Sequence, residues 1–531
     1  MSLDHSASVT TAASNLPATL TASFLDRLTS QVAAAPGGTT VTTTAPYTGE
    51  PLAVLPASTV DDVDAAFARA RIAQTAWAAT PIEERKQIFL RFHDLLLERQ
   101  KEALDLMQAE NGKTRRDAFL EVADIAITAR YYARNVKRLL APKRRHGALP
   151  FLTHTTELHH AKGVVTVISP WNYPLSMAAG DAIPAMLAGN AVVQKPDTQT
   201  ALTALWARDL LVEAGLPADI WQMVIGRAST VGDPLLANGD YVMFTGSTAS
   251  GRQIAQKAGE RLIGASLELG GKNPMIVLPD ADIDRTVKGA ISAAFPSTGQ
   301  LCVSIERMYV ADEIYDQFVP AFAEATKALR IGAAYDFTVD VGCLTTPSQL
   351  ETVTNHVNDA VAKGATVLAG GKARPDLGPL FYEPTILADV TPDMTLFEHE
   401  TFGPVVAIYR YSDIEDAVAR ANATPYGLNA SVWGRNGARA RAVAARIHSG
   451  TVNVNEAFTA AWGSIDAPMG GMGDSGLGRR HGADGLLKYT EAQTVAHQRL
   501  QGFNAPKGVD QEKWAQFLTN ALKTFKNVGM R

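Results

Sequence analysis

Cysteine is nearly absent: Cys302 and Cys343 are the only two in 531 residues. Two thiols cannot build a disulfide scaffold, and no C-x-x-C pair or clustered histidines offers a metal site. A reducing compartment is implied, and a cytoplasmic location is expected. Excess positive charge is also missing. Lys and Arg total 49 against 54 Asp and Glu, a net charge of -5, so no nucleic-acid partner is expected. No apolar run approaches the roughly 18 residues that span a bilayer, so no transmembrane segment is expected. No Lys or Arg precedes Arg27, so a secretory signal is not expected either. Tandem repeats at solenoid periods are lacking.

What is present suits a large folded chain. Apolar residues make up 46% and charged residues 19%, enough for two to four cores of ordinary size. Residues 1–39, rich in Ala, Thr and Ser, read as a poorly ordered lead-in. Thr80-Pro81-Ile82-Glu83 predicts a helix start with Thr80 as N-cap, and Gly112 predicts its end. Ser58 and Asp61 mark another start before Val63 and Phe67. From 161 the pattern changes to short β-branched runs alternating with helices: "GVVTVISP", "NAVVQKP", "IWQMVIG" and "YVMFTG" read as buried strands. That alternation predicts a parallel α/β sheet, and a second α/β section starts near "GKNPMIVLP". At the end, Trp514, Phe517, Leu518, Leu522, Phe525 and Val528 recur at helical spacing among lysines. This amphipathic extension over 503–531 reads more readily as a helix docked on protein than as a membrane-surface helix.

Several stretches carry chemistry. In "FTGSTASGRQIA" a strand ends at Thr245 and a helix is expected from near Arg252, with Gly246, Ser247 and Gly251 in the turn. Such a turn lets a phosphate approach backbone N–H groups. Arg252-Gln253 replaces the Lys-Ser/Thr of a P-loop, which excludes an NTPase. Gly471, Gly473 and Gly476 match G-x-G-x-x-G, but no strand precedes them, so they read as a loop. Glu268 sits in an otherwise apolar segment, "SLELGGKNP". It is either a solvated edge residue or a general base raised by burial. "FEHETFGPVV" begins like a zinc-protease helix, but Gly403 stands where its second His belongs. Taken alone, Cys302 is a structural thiol more often than a nucleophile. A candidate base and a phosphate-cradling turn in the same chain shift that balance.

Taken together, "ISPWNYP" (168–174), "GNAVVQKP" (189–196), "FTGSTASG" (244–251), "ELGGKNP" (268–274), "GQLC" (299–302), "EHETFGPV" (398–405) and "PMGGMGDSGLGR" (468–479) resemble the aldehyde dehydrogenase superfamily in order and spacing. The resemblance covers about residues 40–500. It implies an α/β fold with a Rossmann-like cofactor domain (40–146 and 161–270) and a catalytic α/β domain (271–470). It also implies a small β oligomerisation arm (147–160 and 486–500) and a homodimer or homotetramer. Cys302 would attack an aldehyde as thiolate, the Cys302 N–H and Asn172 amide would hold the oxyanion, and Glu268 would activate water against the thioester. Ser169, Trp171, Gly246, Ser247, Thr248 and the Leu269 carbonyl would line the cofactor. Glu400 would hold the nicotinamide ribose, with Phe402 beside it. Ser304 replaces the second cysteine with which some relatives close a regulatory disulfide.

More narrowly, "GKARPDLGPLFYEPT", "LNASVWG" and "GRRHGADGLLKYTE" are similar to actinobacterial NADP-dependent succinate-semialdehyde dehydrogenases. NAD-preferring relatives often carry Glu where this chain has Thr198. A hydroxyl there, with Lys195 close by, suits a 2′-phosphate, so NADP is expected ahead of NAD. The implied reaction is oxidation of succinate semialdehyde to succinate. Many such enzymes bind the substrate carboxylate with arginines where this chain has Gly180 and Pro296. The alternative is therefore an uncharged aliphatic or aromatic aldehyde, with Phe458 and Trp462 lining its pocket. A coenzyme A-acylating relative fits less well, since Glu268 is retained. A catalytically silent protein on the same fold is the remote alternative.

Overall fold

The structure, a computed structural model, describes residues 16–147, 153–499 and 502–529. Two parallel sheets organise it. The first has the order Gly476–Leu477, Gly264–Glu268, Tyr241–Thr245, Val164–Ser169, Ala191–Pro196, Trp221–Met223. Only its Gly476–Leu477 edge is antiparallel. The second has the order Thr366–Ala369, Thr385–Ala388, Val405–Tyr411, Ile305–Ala311, Asn273–Val277, Asn429–Trp433, Thr451–Val454, antiparallel only at Thr366–Ala369. The inner strands are buried on both faces, which is why they read as unbroken apolar runs such as "VVTV" and "MIV". Each sheet has its own apolar core. One holds Trp206, Trp221 and Leu205, the other Phe318, Phe322 and Trp433.

Two helix starts differ from the sequence reading. The helix Val60–Ala79 is capped by Thr59, whose hydroxyl accepts from the Asp62 N–H in a reciprocal capping box, one residue away from Ser58. Thr80 caps nothing. It ends that helix, and Ile82–Glu98 follows Pro81 without a side-chain cap. The stretch expected as one helix up to Gly112 is two, Ile82–Glu98 and Gln100–Asn111, broken at Arg99. Gly112, at φ 78°, does end the second.

Within the lead-in expected over 1–39, Ala22–Thr29 is a helix that buries Leu28, and residues 1–15 lie outside the described residues. Thr153–Ala161 pairs antiparallel with Thr490–Gln498 along its full length, and Lys143–Arg145 completes a three-stranded sheet; residues 148–152 and 500 of the expected arm, and 530–531 of the expected extension, lie outside the described residues. Gln511–Asn527 is a helix with no buried residue. Among the described residues, no helix is long and apolar enough to cross a membrane.

Candidate active site

The parallel strands of the first sheet deliver their C-terminal ends to a cleft, the position where open α/β sheets bind ligands, and the second sheet faces it with the loops that enter Asn273–Val277, Ile305–Ala311 and Val405–Tyr411. Ser169, Thr245 and Glu268 each end a strand of the first sheet, and Cys302 immediately precedes Ile305–Ala311 of the second. A cavity of about 230 Å³ lies between the two sheets. Trp171, Asn172, Gly246, Ser247, Glu268, Leu269, Cys302, Glu400, Phe402 and Trp462 line it together. These residues span nearly 300 positions of sequence, and the fold brings them into one space.

The loop before Cys302 is strained. Ser297, Thr298 and Gly299 have φ of 47°, 58° and 71°, three left-handed residues in a row. Only glycine adopts this region freely, and a β-branched Thr there costs about 1–3 kcal/mol. Buried hydrogen bonds hold the loop in place. Ser297 N–H donates to Asp117 Oδ2 at 3.1 Å, and its hydroxyl meets Tyr173 OH at 3.0 Å. Gln300 donates to Ser297 O and accepts from Thr345 N–H. The Cys302 carbonyl accepts from Asn273 Nδ2 at 2.7 Å. The nucleophile candidate thus sits on a fixed backbone while its side chain faces the cavity. Burial, then the Glu268 and Glu400 carboxylates, push its thiol up to about 12, against the pull of Arg480. Cys343 is fully buried among apolar residues, where burial holds its thiol protonated.

Asn172 is 5% exposed. Its amide donates one hydrogen to the Gln300 carbonyl at 2.9 Å, leaving the second for the cavity it lines. Glu268 is no solvated edge residue: it is 6% exposed, and burial pushes its carboxyl up to about 7 against the pull of Arg480 and Lys488. Glu400 is pushed up to about 8 by burial and by Glu306, and it accepts from the Gly271 N–H at 3.0 Å. A Cβ at position 270 would approach Glu400 Oε2 to 2.5 Å, so a side chain there would displace this carboxylate. A buried Lys272–Glu306 pair at 2.6 Å steadies this wall, with Glu306 accepting from the Thr401 and Phe402 N–H groups. The Phe402 and Trp171 rings meet edge to face at 5.6 Å.

Other candidates stand beside the cavity. Ser169 turns into the sheet, its hydroxyl accepting from Gln194 Nε2. Thr248 donates to the Asp474 carbonyl. It opens the helix Thr248–Glu260, whose N-cap is Ser247, so the helix starts four residues before the expected Arg252. Gly251 lies inside its first turn, against the Leu269 side chain, rather than in the loop. Lys195 is half-buried, and its ammonium is pushed down by burial. Thr198 begins a 3₁₀ turn capped by Asp197, whose carboxylate accepts from the Gln199 N–H. Phe458 and Trp462 line a neighbouring apolar pocket of about 160 Å³, along with Tyr173 and Asp124. Burial pushes Asp124 up to about 6.

The residues fit a dinucleotide. The free N–H groups of Thr248–Glu260 behind Gly246 suit a pyrophosphate. The Glu400 carboxylate, open to the cavity above Gly270, suits a ribose diol. Sequence reasoning missed Tyr173, Met177 and Gln349 in the cavity wall. Gln349 donates to the Thr401 and Phe402 carbonyls from a helix more than 50 residues away, and no local motif marks it.

Residues 33–495 match the family model described as aldehyde dehydrogenase family. A protein of Mycobacterium ulcerans, provisionally named succinate-semialdehyde dehydrogenase (NADP+) 2, is 52% identical over 90% of this chain and 92% of its own. The rice mitochondrial succinate-semialdehyde dehydrogenase is 36% identical over 86% of each chain. Among solved structures, an NADP-dependent enzyme of Escherichia coli superposes with a TM-score of 0.84 at 35% identity, over 88% of this chain and 96% of that one.

Proposed function

This chain belongs to the aldehyde dehydrogenase family, and from that premise we propose that it oxidises succinate semialdehyde to succinate with NADP+. The observation that carries the reading is the convergence of Cys302, Asn172 and Glu268 on one cavity. The names of the mycobacterial and rice relatives supply the substrate.

The residues perform the chemistry in order. Cys302 is protonated at rest, and Glu268, which shares the cavity and is half-ionised near neutrality, is placed to take its proton. The thiolate adds to the aldehyde carbon, and the new oxyanion accepts from the Cys302 N–H and the Asn172 amide. Trp171, Ser247, Leu269, Glu400 and Phe402 would hold the cofactor against this centre. NADP+, when bound, supplies the hydride acceptor. Hydride loss leaves a thioester on Cys302. Glu268 passes the Cys302 proton to solvent and, ionised again, deprotonates a water; hydroxide adds to the thioester carbon, the C–S bond breaks, and the acid departs, losing its proton as carboxylate, while the thiolate is restored. Lys195 and Thr198 favour a 2′-phosphate, since Asp197 is engaged in capping its own turn.

A second reading has its own observation. Among the described residues, no Lys or Arg lines the cavity or the adjoining pocket, and Asp124 with three aromatic rings helps form that pocket. Such a lining suits an uncharged aldehyde. Steady-state kcat/KM for succinate semialdehyde, benzaldehyde and a mid-length alkanal, each with NADP+ and NAD+, decides between them. A large margin for an uncharged aldehyde sinks the succinate semialdehyde reading.

The family division into a cofactor domain over 40–146 and 161–270 and a catalytic domain over 271–470 accords with the two sheets. The exposed strand pairing of 153–161 with 490–498 supports an arm shared with a second copy, in a homodimer or homotetramer. Two free thiols support a cytoplasmic setting.

A further inference from the structure

The Asn172 carbonyl accepts a hydrogen bond from the Lys113 ammonium at 2.6 Å. Lys113 is fully buried. It also donates to Glu121 Oε1 at 2.6 Å, and its ammonium lies 3.8 Å from the centre of the Tyr173 ring. Glu121 Oε2 in turn accepts from the N–H groups of Leu175 and Ser176 at 2.9 and 3.0 Å. Beside them, Asn111 Nδ2 donates to the Trp171 carbonyl at 2.9 Å. Three side chains, two from the junction after Gln100–Asn111 and one from the helix Arg115–Leu140, thus hold the backbone at Trp171, Asn172, Leu175 and Ser176. The same junction reaches the other side of the site: Thr345 donates through its hydroxyl to the Asn111 carbonyl and through its N–H to Gln300, the residue whose carbonyl holds the Asn172 amide.

A desolvated ammonium–carboxylate pair is an inefficient way to stabilise a fold, and apolar replacements often do as well. It does give direction. The loop cannot slide without breaking charge-assisted hydrogen bonds in a dry interior. An oxyanion donor needs that fixity, because its effect depends on placement to fractions of an ångström. Neither Asn111 nor Lys113 lines the cavity.

We propose that Lys113, with Asn111, is a positioning residue for the Asn172 amide. The two fix the loop so that the amide meets the negative oxygen developing on the substrate. The inference rests on the reading of Asn172 as an oxyanion donor.

The test is a double-mutant cycle in the full-length chain with p-nitrophenyl acetate. The Cys302 thiolate attacks the ester carbonyl, p-nitrophenolate leaves, and water splits the thioester to acetate and free thiol. This reaction needs the oxyanion donor but no hydride acceptor, so failure of aldehyde oxidation reads separately from failure here. Asn172→Ala should lower kcat about 100-fold. Lys113→Met combined with Glu121→Gln, which leaves no unpaired buried charge, should lower it about 10-fold with KM changed less than about twofold. Added to Asn172→Ala, that pair should cost nothing more. Multiplicative losses overturn the proposal, as does wild-type ester cleavage in Asn172→Ala. If the charge-pair variant does not fold, Asn111→Ala, which removes only neutral hydrogen bonds to the Trp171 and Asn172 carbonyls, carries the same cycle. A slowing of about fivefold that vanishes over Asn172→Ala supports the proposal; a slowing that persists, or none at all, overturns it.

Discussion

The guanidinium of Arg480 fills the space that a side chain on Gly180 would need: a Cβ there would lie 3.2 Å from Arg480 Nη2. Arg480 pairs with Asp181 Oδ2 at 3.1 Å, and Lys488 approaches Asp181 Oδ1 at 3.6 Å, all three buried. An arginine at 180 is therefore absent for a spatial reason. The space beside Gly180 already holds a guanidinium, delivered from another part of the chain. Gly180→Arg would press two guanidinium groups together beside one carboxylate. It should cost on the order of 3 kcal/mol of stability and bring no gain in kcat/KM for succinate semialdehyde over benzaldehyde. Thermal unfolding and that ratio check it. A variant as stable as wild type and more selective would show that Arg480 does not hold the space.

Cys302→Ala should lower NADPH formation at least about 1000-fold, since the covalent route loses its nucleophile. Cys343→Ala should leave turnover within about twofold, because Cys343 lies in the apolar core away from the cavity. Its expected cost is stability. Alkylation with iodoacetamide should label Cys302 alone in the folded protein, as read by peptide mass. Activity surviving in Cys302→Ala would remove Cys302 from its role, and labelling of Cys343 would show that its burial does not protect it.

The reaction centre was legible because its parts are local. Glu268 and the 245–248 turn sit where a strand ends and Cys302 just before one begins, and such a boundary shows in sequence as an apolar run meeting glycine. Its supports were not legible. Lys113, Glu121, Gln300 and Gln349 act across 43 to 128 residues through a few hydrogen bonds each, and in sequence each looks like an ordinary polar residue on a helix or loop. Helix starts were misplaced for a related reason. Thr59 and Thr80 are both plausible caps by composition, and only the path of the following backbone selects Thr59. The start of Thr248–Glu260 was missed because Gly251 suggested a turn, whereas tertiary packing against Leu269 requires glycine inside the helix.

Thr198→Glu should shift cofactor preference toward NAD. A carboxylate on that 3₁₀ turn can grip a ribose 2′-OH and repels a 2′-phosphate, while Lys195 alone offers only one partly buried ammonium. The ratio of kcat/KM for NADP+ to that for NAD+ should fall at least about 10-fold, mostly through KM for NADP+. Lys195→Met should lower the same ratio. A wild-type enzyme that already favours NAD+ at equal concentration would sink the argument.

Glu268 makes the pH dependence predictable in two ways. As a base it must be ionised, and its carboxyl is raised to about 7. The rate of thioester hydrolysis should therefore climb through pH 7 and level off above it, and Glu268→Gln should lose that limb with at least about a 100-fold drop in turnover. Stability should move the opposite way. Unfolded, the carboxyl titrates near 4.3. Between there and pH 7 the folded protein still holds the proton that the unfolded chain has lost. The contribution of the protonated group to stability is thus complete below about pH 4, declines as pH rises, and is gone above 7. Glu268→Gln removes the cost of ionising a buried group, so its thermal unfolding temperature should exceed that of wild type at pH 8. The gap should narrow as pH falls toward 5. An unfolding gap that is constant across this range would mean that Glu268 is already ionised in the folded protein, and the hydrolysis limb would then lie well below pH 7.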